Sequence, residues 1–180
     1  MIKAKKRGSV WNDAKKIDRF LCKFRAQLRG KSEKHFAMSI SPLIADRLQR
    51  GKPKNTVFYE IDKMYRVTPV KCFGKKNRPD LAVNSDGIAV EYKFCGSNGL
   101  SPALGQGMIY RMQYKFVFLI LILKSDSKTK QFYLDYCRND EDLLTPLLND
   151  LANQHRIYTY IIPSFDSLDP NFKKFKSFFC

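Results

Sequence analysis

The residues best suited to chemistry lie between Arg78 and Lys93. This segment contains two carboxylates and a lysine, Asp80, Glu91 and Lys93. Carboxylate oxygens are the ligands that a hard divalent cation such as Mg²⁺ or Mn²⁺ favours. On one small patch, Asp80 and Glu91 would hold such a cation between them. The alternative is that these charged side chains are solvated on the outer face of a local element.

A predicted hairpin brings the three residues together. Asp86-Gly87 separates two alternating runs, which is a strong signal for a two-residue turn. With that turn, Val83 pairs with Val90 and Asp80 lies opposite Lys93. Asp80 and Glu91 then become diagonal neighbours, roughly 7–8 Å apart at the backbone. The opposite face of the hairpin is apolar and consists of Leu81, Val83, Ile88, Val90 and Tyr92.

Pro79-Asp80, followed after the hairpin by Glu91-Tyr92-Lys93, resembles the pattern of the PD-(D/E)XK nuclease superfamily. The resemblance covers about residues 33–123. It implies that Asp80 and Glu91 bind the metal, that Lys93 orients or activates the attacking water, and that the backbone carbonyl of Tyr92 completes the coordination.

Two residues compete to be the third acid. In many members of the superfamily, including archaeal Holliday junction resolvases, a helix glutamate before the core sheet completes the metal site. Glu33, in the first turn of a helix capped by Ser32, fits this place, although it also complements the helix dipole. Glu60, on a predicted strand, is the rival and has a solvated strand face as its simple explanation. The family pattern favours Glu33.

A predicted helix from Ser101 to about Gln113 carries Gln106 and Tyr110 four positions apart, so they share a face. This pair resembles the Gln-x-x-x-Tyr motif of the RecB-type and lambda-exonuclease branches. There, the two residues contact nucleic acid near the cut. Arg111, next to Tyr110, is a candidate phosphate contact.

A second group of candidate phosphate contacts lies in a predicted basic loop, residues 74–78. It contains Lys75, Lys76 and Arg78 and leads directly into the hairpin. Three cations beside a metal would favour bound phosphate.

The charge of the chain points to a polyanionic partner. The 180 residues carry 33 Lys and Arg against 17 Asp and Glu, a net charge of +16. Residues 1–54 hold sixteen of these cations and four acids, which is +12. Nucleic acid is the first expectation and an anionic membrane surface a poorer one, because the basic helix lacks a wide Trp/Leu face.

Several classes of protein are not expected. No apolar run follows the charged start, so a secretory signal is not predicted, and the run 116–123 is too short to cross a bilayer. The five cysteines are scattered singly and only two histidines occur, which argues against a zinc site or a disulfide framework. A reducing cytoplasm is therefore the expected location.

The predicted fold class is α/β, with a central mixed sheet flanked by helices, and the resemblance implies a restriction-endonuclease-like arrangement. One domain, residues 12–180, follows a basic disordered arm, residues 1–11. Its core spans about 32–123, and a helix and strand extension spans 131–180. Helices are predicted at 12–29, 32–50 (kinked or split at Pro42), 101–113 and after Asn139, and strands at 56–61, 65–73, in the hairpin, and at 115–123, 131–137 and 156–162.

The expected function is Mg²⁺- or Mn²⁺-dependent hydrolysis of phosphodiester bonds in DNA, with an endonuclease favoured over an exonuclease. A structured substrate such as a junction or flap is one expectation, and RNA stays open. A homodimer would suit the cutting of two strands. The alternative is a non-catalytic, basic nucleic-acid-binding protein. Against it, carboxylates turned towards phosphate repel the ligand, so a pure binder gains nothing from them.

Overall fold

The computed structural model describes residues 4–24, 32–50, 53, 56–59, 67–138, 143–165 and 176–179. The helices are α1 (Gly8–Lys23), α2 (Glu33–Gln49), α3 (Leu100–Arg111), α4 (Ser127–Arg138) and α5 (Leu144–Asp150). The strands are β1 (Val57–Tyr59), β2 (Val70–Cys72), β3 (Lys75–Asn77), β4 (Leu81–Val83), β5 (Ile88–Cys95), β6 (Phe116–Leu123), β7 (Ile157–Pro163) and β8 (Lys176–Ser177).

The described strands form a six-stranded mixed sheet and a separate two-stranded ribbon. The sheet order is β1-β4-β5-β6-β7-β8, and the ribbon pairs β2 with β3. Strands β5, β6 and β7 are parallel, while β1, β4 and β8 join by antiparallel pairing. The predicted α/β class with a mixed sheet and flanking helices is therefore confirmed.

Two apolar clusters cover the two faces of the sheet. Phe118 and Ile120 of β6 pack with α1 and α2, whereas Val117 and Leu119 pack with α3 and α4. Every residue of β6 is buried. The continuous apolar run 116–123 is thus a strand covered on both faces, as predicted. Among the described residues, no helix is long and apolar enough to span a membrane.

The β4–β5 hairpin forms, but its predicted register is wrong by two residues. Val83 pairs with Ile88 and Leu81 with Val90, so the turn has four residues, 84–87. Asn84 explains the wider turn. It has a φ of +56° and donates its amide to the Thr56 carbonyl at 2.8 Å, so it leaves the extended conformation that a two-residue turn would require of it.

A register shift of two residues leaves each side chain on its predicted face, because the side-chain period of a strand is two. The apolar face of the hairpin, Leu81, Val83, Ile88, Val90 and Tyr92, lies in the cluster under α1 and α2. The apolar-face prediction is confirmed. Gly87 is needed for a close approach, since a Cβ there would lie 2.4 Å from the Val83 carbonyl oxygen.

Helix α1 begins at Gly8, before the predicted start at Asn12, and ends at Lys23; residues 25–29 of the predicted helix 12–29 lie outside the described residues. Residues 8–11, assigned to the basic arm, are helical. The reason is Trp11, whose ring stacks on Phe179 with centroids 5.3 Å apart and also lies 5.4 Å from Phe116. This aromatic contact holds the first turn of the helix on the core.

Helix α2 matches its prediction closely. Ser32 is the N-cap and its hydroxyl accepts the His35 amide. The helix continues through Pro42, so the predicted split does not occur. Helix α3 begins at Leu100, ahead of the predicted Ser101 cap, after a short 3₁₀ turn. Pro102 is tolerated because amides in the first turn have no partner within the helix.

Residues 131–137 belong to helix α4, so the predicted strand is wrong. The carboxylate of Asp126 accepts both the amide and the hydroxyl of Thr129, which starts the helix in the segment expected to be a polar turn. Tyr133 and Tyr136 are buried on one side of it. A three-residue spacing of buried side chains is helical, and it overrides the local alternation.

Two other predicted elements differ in the structure. Of the predicted strand 65–73, residues 65 and 66 lie outside the described residues and the rest contains only β2, after Pro69, while the predicted basic loop 74–78 contains strand β3. The cap predicted at Asn139 lies outside the described residues. Of the leucine stripe that follows, Leu148 and Leu151 are buried, but Leu143 and Leu147 are exposed.

Two glycines of α3 should respond in opposite directions to alanine substitution. A Cβ on Gly107 would lie 2.8 Å from Leu119 Cδ1, whereas a Cβ on Gly105 meets nothing within 4 Å. We expect Gly107→Ala to lower the free energy of unfolding by about 1–3 kcal/mol through overpacking. Gly105→Ala should raise it by about 0.5–1 kcal/mol. Urea unfolding measures both, and stabilisation by Gly107→Ala would contradict the packing of α3 on β6.

Candidate active site

Three elements bring the predicted acids and the lysine to one place, and a fourth element adds a tyrosine. Glu91 and Lys93 lie on β5, Asp80 immediately precedes β4, and Glu33 begins α2. Tyr110 reaches the same place from α3. The sheet supplies the rigid part, because β5 is central and pairs with β4 on one side and β6 on the other.

The hairpin register places Asp80 beside Glu91 rather than diagonal to it. Leu81 pairs with Val90, and Asp80 and Glu91 are the next residues along the two strands. Asp80 Oδ2 accepts the backbone amide of Tyr92 at 2.7 Å. This hydrogen bond holds the carboxylate against β5.

The ammonium group of Lys93 lies between two carboxylates. Its Nζ is 3.1 Å from Glu91 Oε1 and 3.3 Å from Glu33 Oε1. The Glu91 side chain is 3% exposed, while those of Lys93 and Glu33 are 33% and 40% exposed. The buried Glu91 carboxylate is therefore paired with a cation that reaches the protein surface.

Burial raises the pKa of the Glu91 carboxyl above its ordinary value, because the ionised form loses hydration. Lys93 and the Tyr110 hydroxyl act in the opposite direction but do not cancel this effect. For Lys93, burial alone would lower the pKa of the ammonium, but the Glu91 and Glu33 charges outweigh it and the net pKa is raised. Lys93 is thus a cation at neutral pH and acts as a donor, not as a base.

Gln106 and Tyr110 share a face, as predicted, and both belong to the site. Gln106 Nε2 donates to the Tyr110 hydroxyl at 2.7 Å, and that hydroxyl donates to Glu91 Oε2 at 3.0 Å. The same hydroxyl lies 2.8 Å from the backbone carbonyl oxygen of Arg78. Burial and the Glu91 carboxylate raise the pKa of the Tyr110 hydroxyl, so it stays protonated. In this arrangement the motif holds a carboxylate, whereas the resemblance implies contact with nucleic acid.

Removal of the Tyr110 hydroxyl should lower the stability of the folded protein. Tyr110→Phe leaves Glu91 Oε2 without this donor in a buried place, and we expect a loss of about 1–3 kcal/mol in the free energy of unfolding. Tyr114→Phe is the matched control, since its hydroxyl donates only to the Thr68 carbonyl. Urea midpoints at constant m-value compare the two. A larger loss for Tyr114→Phe would contradict the role given to Tyr110.

Glu33 occupies the place predicted for the third acid. Its Oε2 accepts the backbone amide of Phe94 at 3.0 Å, while its Oε1 faces Lys93. Its carboxylate is therefore tied to β5 and not only to the start of its own helix. The rival, Glu60, lies outside the described residues, so the choice between the two stays a prediction.

The predicted phosphate contacts divide into two groups. Arg111 is 4% exposed and donates to the backbone carbonyls of Tyr114 and His155. Arg111 is therefore not a phosphate contact, because its guanidinium is buried and joins the end of α3 to neighbouring backbone instead of facing solvent. Lys75, Lys76 and Arg78 are exposed, as a phosphate contact requires. Lys71, which was not among the predicted contacts, is also exposed and pairs across the ribbon with Lys76.

The donor chemistry of the site fits a hard cation, because Asp80, Glu91 and Glu33 offer only carboxylate oxygens. These oxygens already have partners: Tyr92 and Phe94 amides, the Tyr110 hydroxyl and Lys93. Within the described ranges, no three His, Cys, Asp or Glu side chains converge as a ready ligand set. A bound metal would compete with Lys93 for the Glu33 and Glu91 oxygens. The predicted role of the Tyr92 carbonyl stays a prediction.

Comparison with known proteins gives no match to a family model, to a curated protein or to a solved structure. A functional assignment therefore depends on the residues and geometry of the site itself.

The four described cysteines, Cys22, Cys72, Cys95 and Cys137, are free thiols.

Proposed function

We propose that this protein is a metal-dependent nuclease of the PD-(D/E)XK type, with a restriction-endonuclease-like core. The observation that carries the proposal is the cluster at the end of β5, where Asp80, Glu91, Lys93 and Glu33 come together from three separate parts of the chain. The resemblance in sequence names the same residues. Their roles in this chain are part of the proposal.

In the proposed reaction, water attacks a phosphodiester. Mg²⁺ or Mn²⁺ held by Asp80 and Glu91, with Glu33, would supply Lewis acidity for the scissile phosphate and for the attacking water. Lys93 stays protonated, so its part is to orient the water by donating a hydrogen bond. Tyr110 keeps Glu91 in place, and the Tyr92 amide does the same for Asp80.

The basic surface supports a nucleic-acid substrate, and DNA is the proposed partner, with RNA as the second candidate. Lys75, Lys76 and Arg78 are exposed on the segment that leads to Asp80. Counterion release from such a surface makes binding strongly salt-dependent. Endonuclease activity, a homodimer for cutting two strands, and a cytoplasmic location belong to the same proposal.

A non-catalytic nucleic-acid-binding protein is the second candidate. The observation in its favour is that Lys93 already satisfies both Glu33 and Glu91, so the cluster also serves as a structural ion pair. The distribution of charge speaks against it, because a binding surface gains nothing from carboxylates near phosphate.

The test is incubation of the purified protein with labelled single strands, duplexes, flaps and four-way junctions of DNA and RNA. We expect cleavage of at least one DNA substrate in Mg²⁺ or Mn²⁺ and none in EDTA. Binding of these substrates without cleavage in either metal would support the second candidate instead. Equal cleavage in EDTA would contradict the metal requirement.

A further inference from the structure

The two-stranded ribbon β2–β3 has an unusual residue at its tip. Cys72 pairs with Lys75, so Phe73 and Gly74 form a two-residue turn. Both have positive φ, +48° for Phe73 and +72° for Gly74. Two positive φ angles are typical of the type I′ hairpin turn.

Neither the turn nor the core explains a phenylalanine here. Type I′ turns favour Asn-Gly, and a bulky side chain in the left-handed region is strained. The Phe73 side chain gains no burial in return, because it is 94% exposed. An aromatic ring is therefore presented to solvent at a position where Asn would fold better.

The residues that flank Phe73 in the ribbon are rich in cations. Residues 71–78 contain Lys71, Lys75, Lys76 and Arg78 and no acid, and all four cations are exposed. Lys71 and Lys76 are direct cross-strand partners, and like charges in that position destabilise a strand pair. A polyanion bound along the ribbon would relieve this repulsion.

The base of the ribbon is fixed while its tip is free. Val67 and Val70 are buried in the core, and the Tyr114 hydroxyl donates to the Thr68 carbonyl at 2.8 Å. At the same base, directly after β3, the Arg78 carbonyl is 2.8 Å from the Tyr110 hydroxyl of the site. The ribbon is thus anchored directly beside the site.

We propose that Phe73 stacks on an unpaired or unstacked base of a nucleic acid whose phosphates lie along Lys71, Lys75 and Lys76. Aromatic side chains between cations are a common platform for single-stranded bases and a wedge at distorted base steps. The preferred ligand is then a nucleic acid with unpaired bases, such as a single strand, bulge, flap or junction. As a statement about substrate choice, this inference rests on the proposed function.

Chain length limits how far the stacked base lies from the cut. Seven residue steps join Phe73 to Asp80 and span at most about 25 Å. At roughly 3.4 Å per nucleotide, this is about seven nucleotides. The distorted base is therefore expected within about seven nucleotides of the scissile phosphate.

The test measures binding in EDTA, where cleavage plays no part. Fluorescence anisotropy compares an intact DNA duplex, the same duplex with a central bulge, and a single strand, each at several salt concentrations. The full-length protein is compared with Phe73→Asn, which restores the favoured Asn-Gly turn, and with Phe73→Trp, which keeps an aromatic ring. Thermal unfolding checks that Phe73→Asn is at least as stable as the unchanged protein.

We expect the unchanged protein to prefer the bulged and single-stranded DNA, and Phe73→Asn to lose roughly 5- to 150-fold of that preference. Phe73→Trp should retain it, and binding to the intact duplex should change little in either variant. An unchanged preference in Phe73→Asn would overturn the inference. So would Phe73-dependent binding to vesicles of phosphatidylcholine and phosphatidylserine without any effect on DNA binding.

The same measurement separates this inference from the proposed function. If the protein cuts no substrate in Mg²⁺ but shows the Phe73-dependent preference in EDTA, the nuclease proposal fails and the stacking inference stands. If it cuts DNA but Phe73→Asn binds and cuts bulged and intact substrates like the unchanged protein, the stacking inference alone fails.

Discussion

Asp80→Asn is expected to lower the rate of metal-dependent cleavage by roughly 10²- to 10³-fold or more, because it removes one of the carboxylate charges proposed to hold the metal. The fold should survive, since the Asn carbonyl oxygen can still accept the Tyr92 amide that Asp80 holds at 2.7 Å. Single-turnover cleavage of the preferred substrate measures the rate, and thermal unfolding measures the fold.

Asp86→Asn is the matched control for this substitution. Asp86 lies in the turn of the same hairpin, but its exposed carboxylate pairs with Lys115 at 2.7 Å, away from the cluster. An exposed pair of this kind contributes about 0–1 kcal/mol, and we expect near-normal cleavage. Equal losses in the two variants would show that the hairpin as a whole, and not the Asp80 carboxylate, limits the reaction.

Lys93→Met is expected to affect both catalysis and stability. Cleavage should fall by roughly 10²- to 10⁴-fold if Lys93 orients the attacking water. The free energy of unfolding at pH 7 should fall by at most about 3 kcal/mol, because Glu91 becomes a buried charge without its ion pair. This value is the lower end of the range for breaking a buried ion pair, because the Lys93 side chain is 33% exposed and its charge is partly screened by water.

Adding Glu91→Gln to Lys93→Met provides the internal check. In this double variant no buried charge is left unpaired, so the stability lost in Lys93→Met should largely return, while cleavage should be no faster than in Lys93→Met. Lowering the pH towards 4.5, the ordinary carboxyl pKa, should act in the same direction. Because the folded-state pKa of Glu91 is raised, ionisation of this carboxyl costs stability as the pH rises above 4.5. Below pH 4.5 the carboxyl is protonated in both the folded and the unfolded state, and the cost disappears. A double variant less stable than Lys93→Met would contradict the ion pair.

The parts of the fold that sequence predicted best are those where one local signal dominates. The run 116–123 is apolar at every position, and a strand covered on both faces follows directly. Ser32 before an apolar helical stripe locates the start of α2. In both cases local pattern and tertiary packing favour the same element.

Prediction failed where distant contacts decide the local structure. The turn at Asp86-Gly87 widened because Asn84 leaves the strand and donates its amide to Thr56, far earlier in the chain. Trp11 extends α1 because Phe179, at the far end of the chain, stacks on it. The segment predicted as a strand at 131–137 is a helix, and its buried Tyr133 packs against Phe165, in a later part of the chain. None of these partners is visible in a short window of sequence.

For the site, sequence indicated which residues meet but not how they are arranged. Asp80, Glu91, Lys93 and Glu33 are close together, as the resemblance implies. The position of Lys93 between two carboxylates, however, depends on how α2 approaches β5, sixty residues away along the chain. Arg111 was misassigned because its burial depends on the loops around the end of α3.

The most direct test of the proposed centre is calorimetry of Mn²⁺ binding to the unchanged protein and to four variants. We predict measurable binding that is lost in the Asp80→Asn/Glu91→Gln double variant, weakened in Glu33→Gln, and unchanged in Asp86→Asn and Glu60→Gln. Glu33 and Glu60 are then each assigned by their own effect on affinity, and Asp80 and Glu91 as a pair. The same affinity in the Asp80→Asn/Glu91→Gln variant as in the unchanged protein would contradict a metal centre at the end of β5, and a loss in Glu60→Gln but not in Glu33→Gln would transfer the third acid to Glu60.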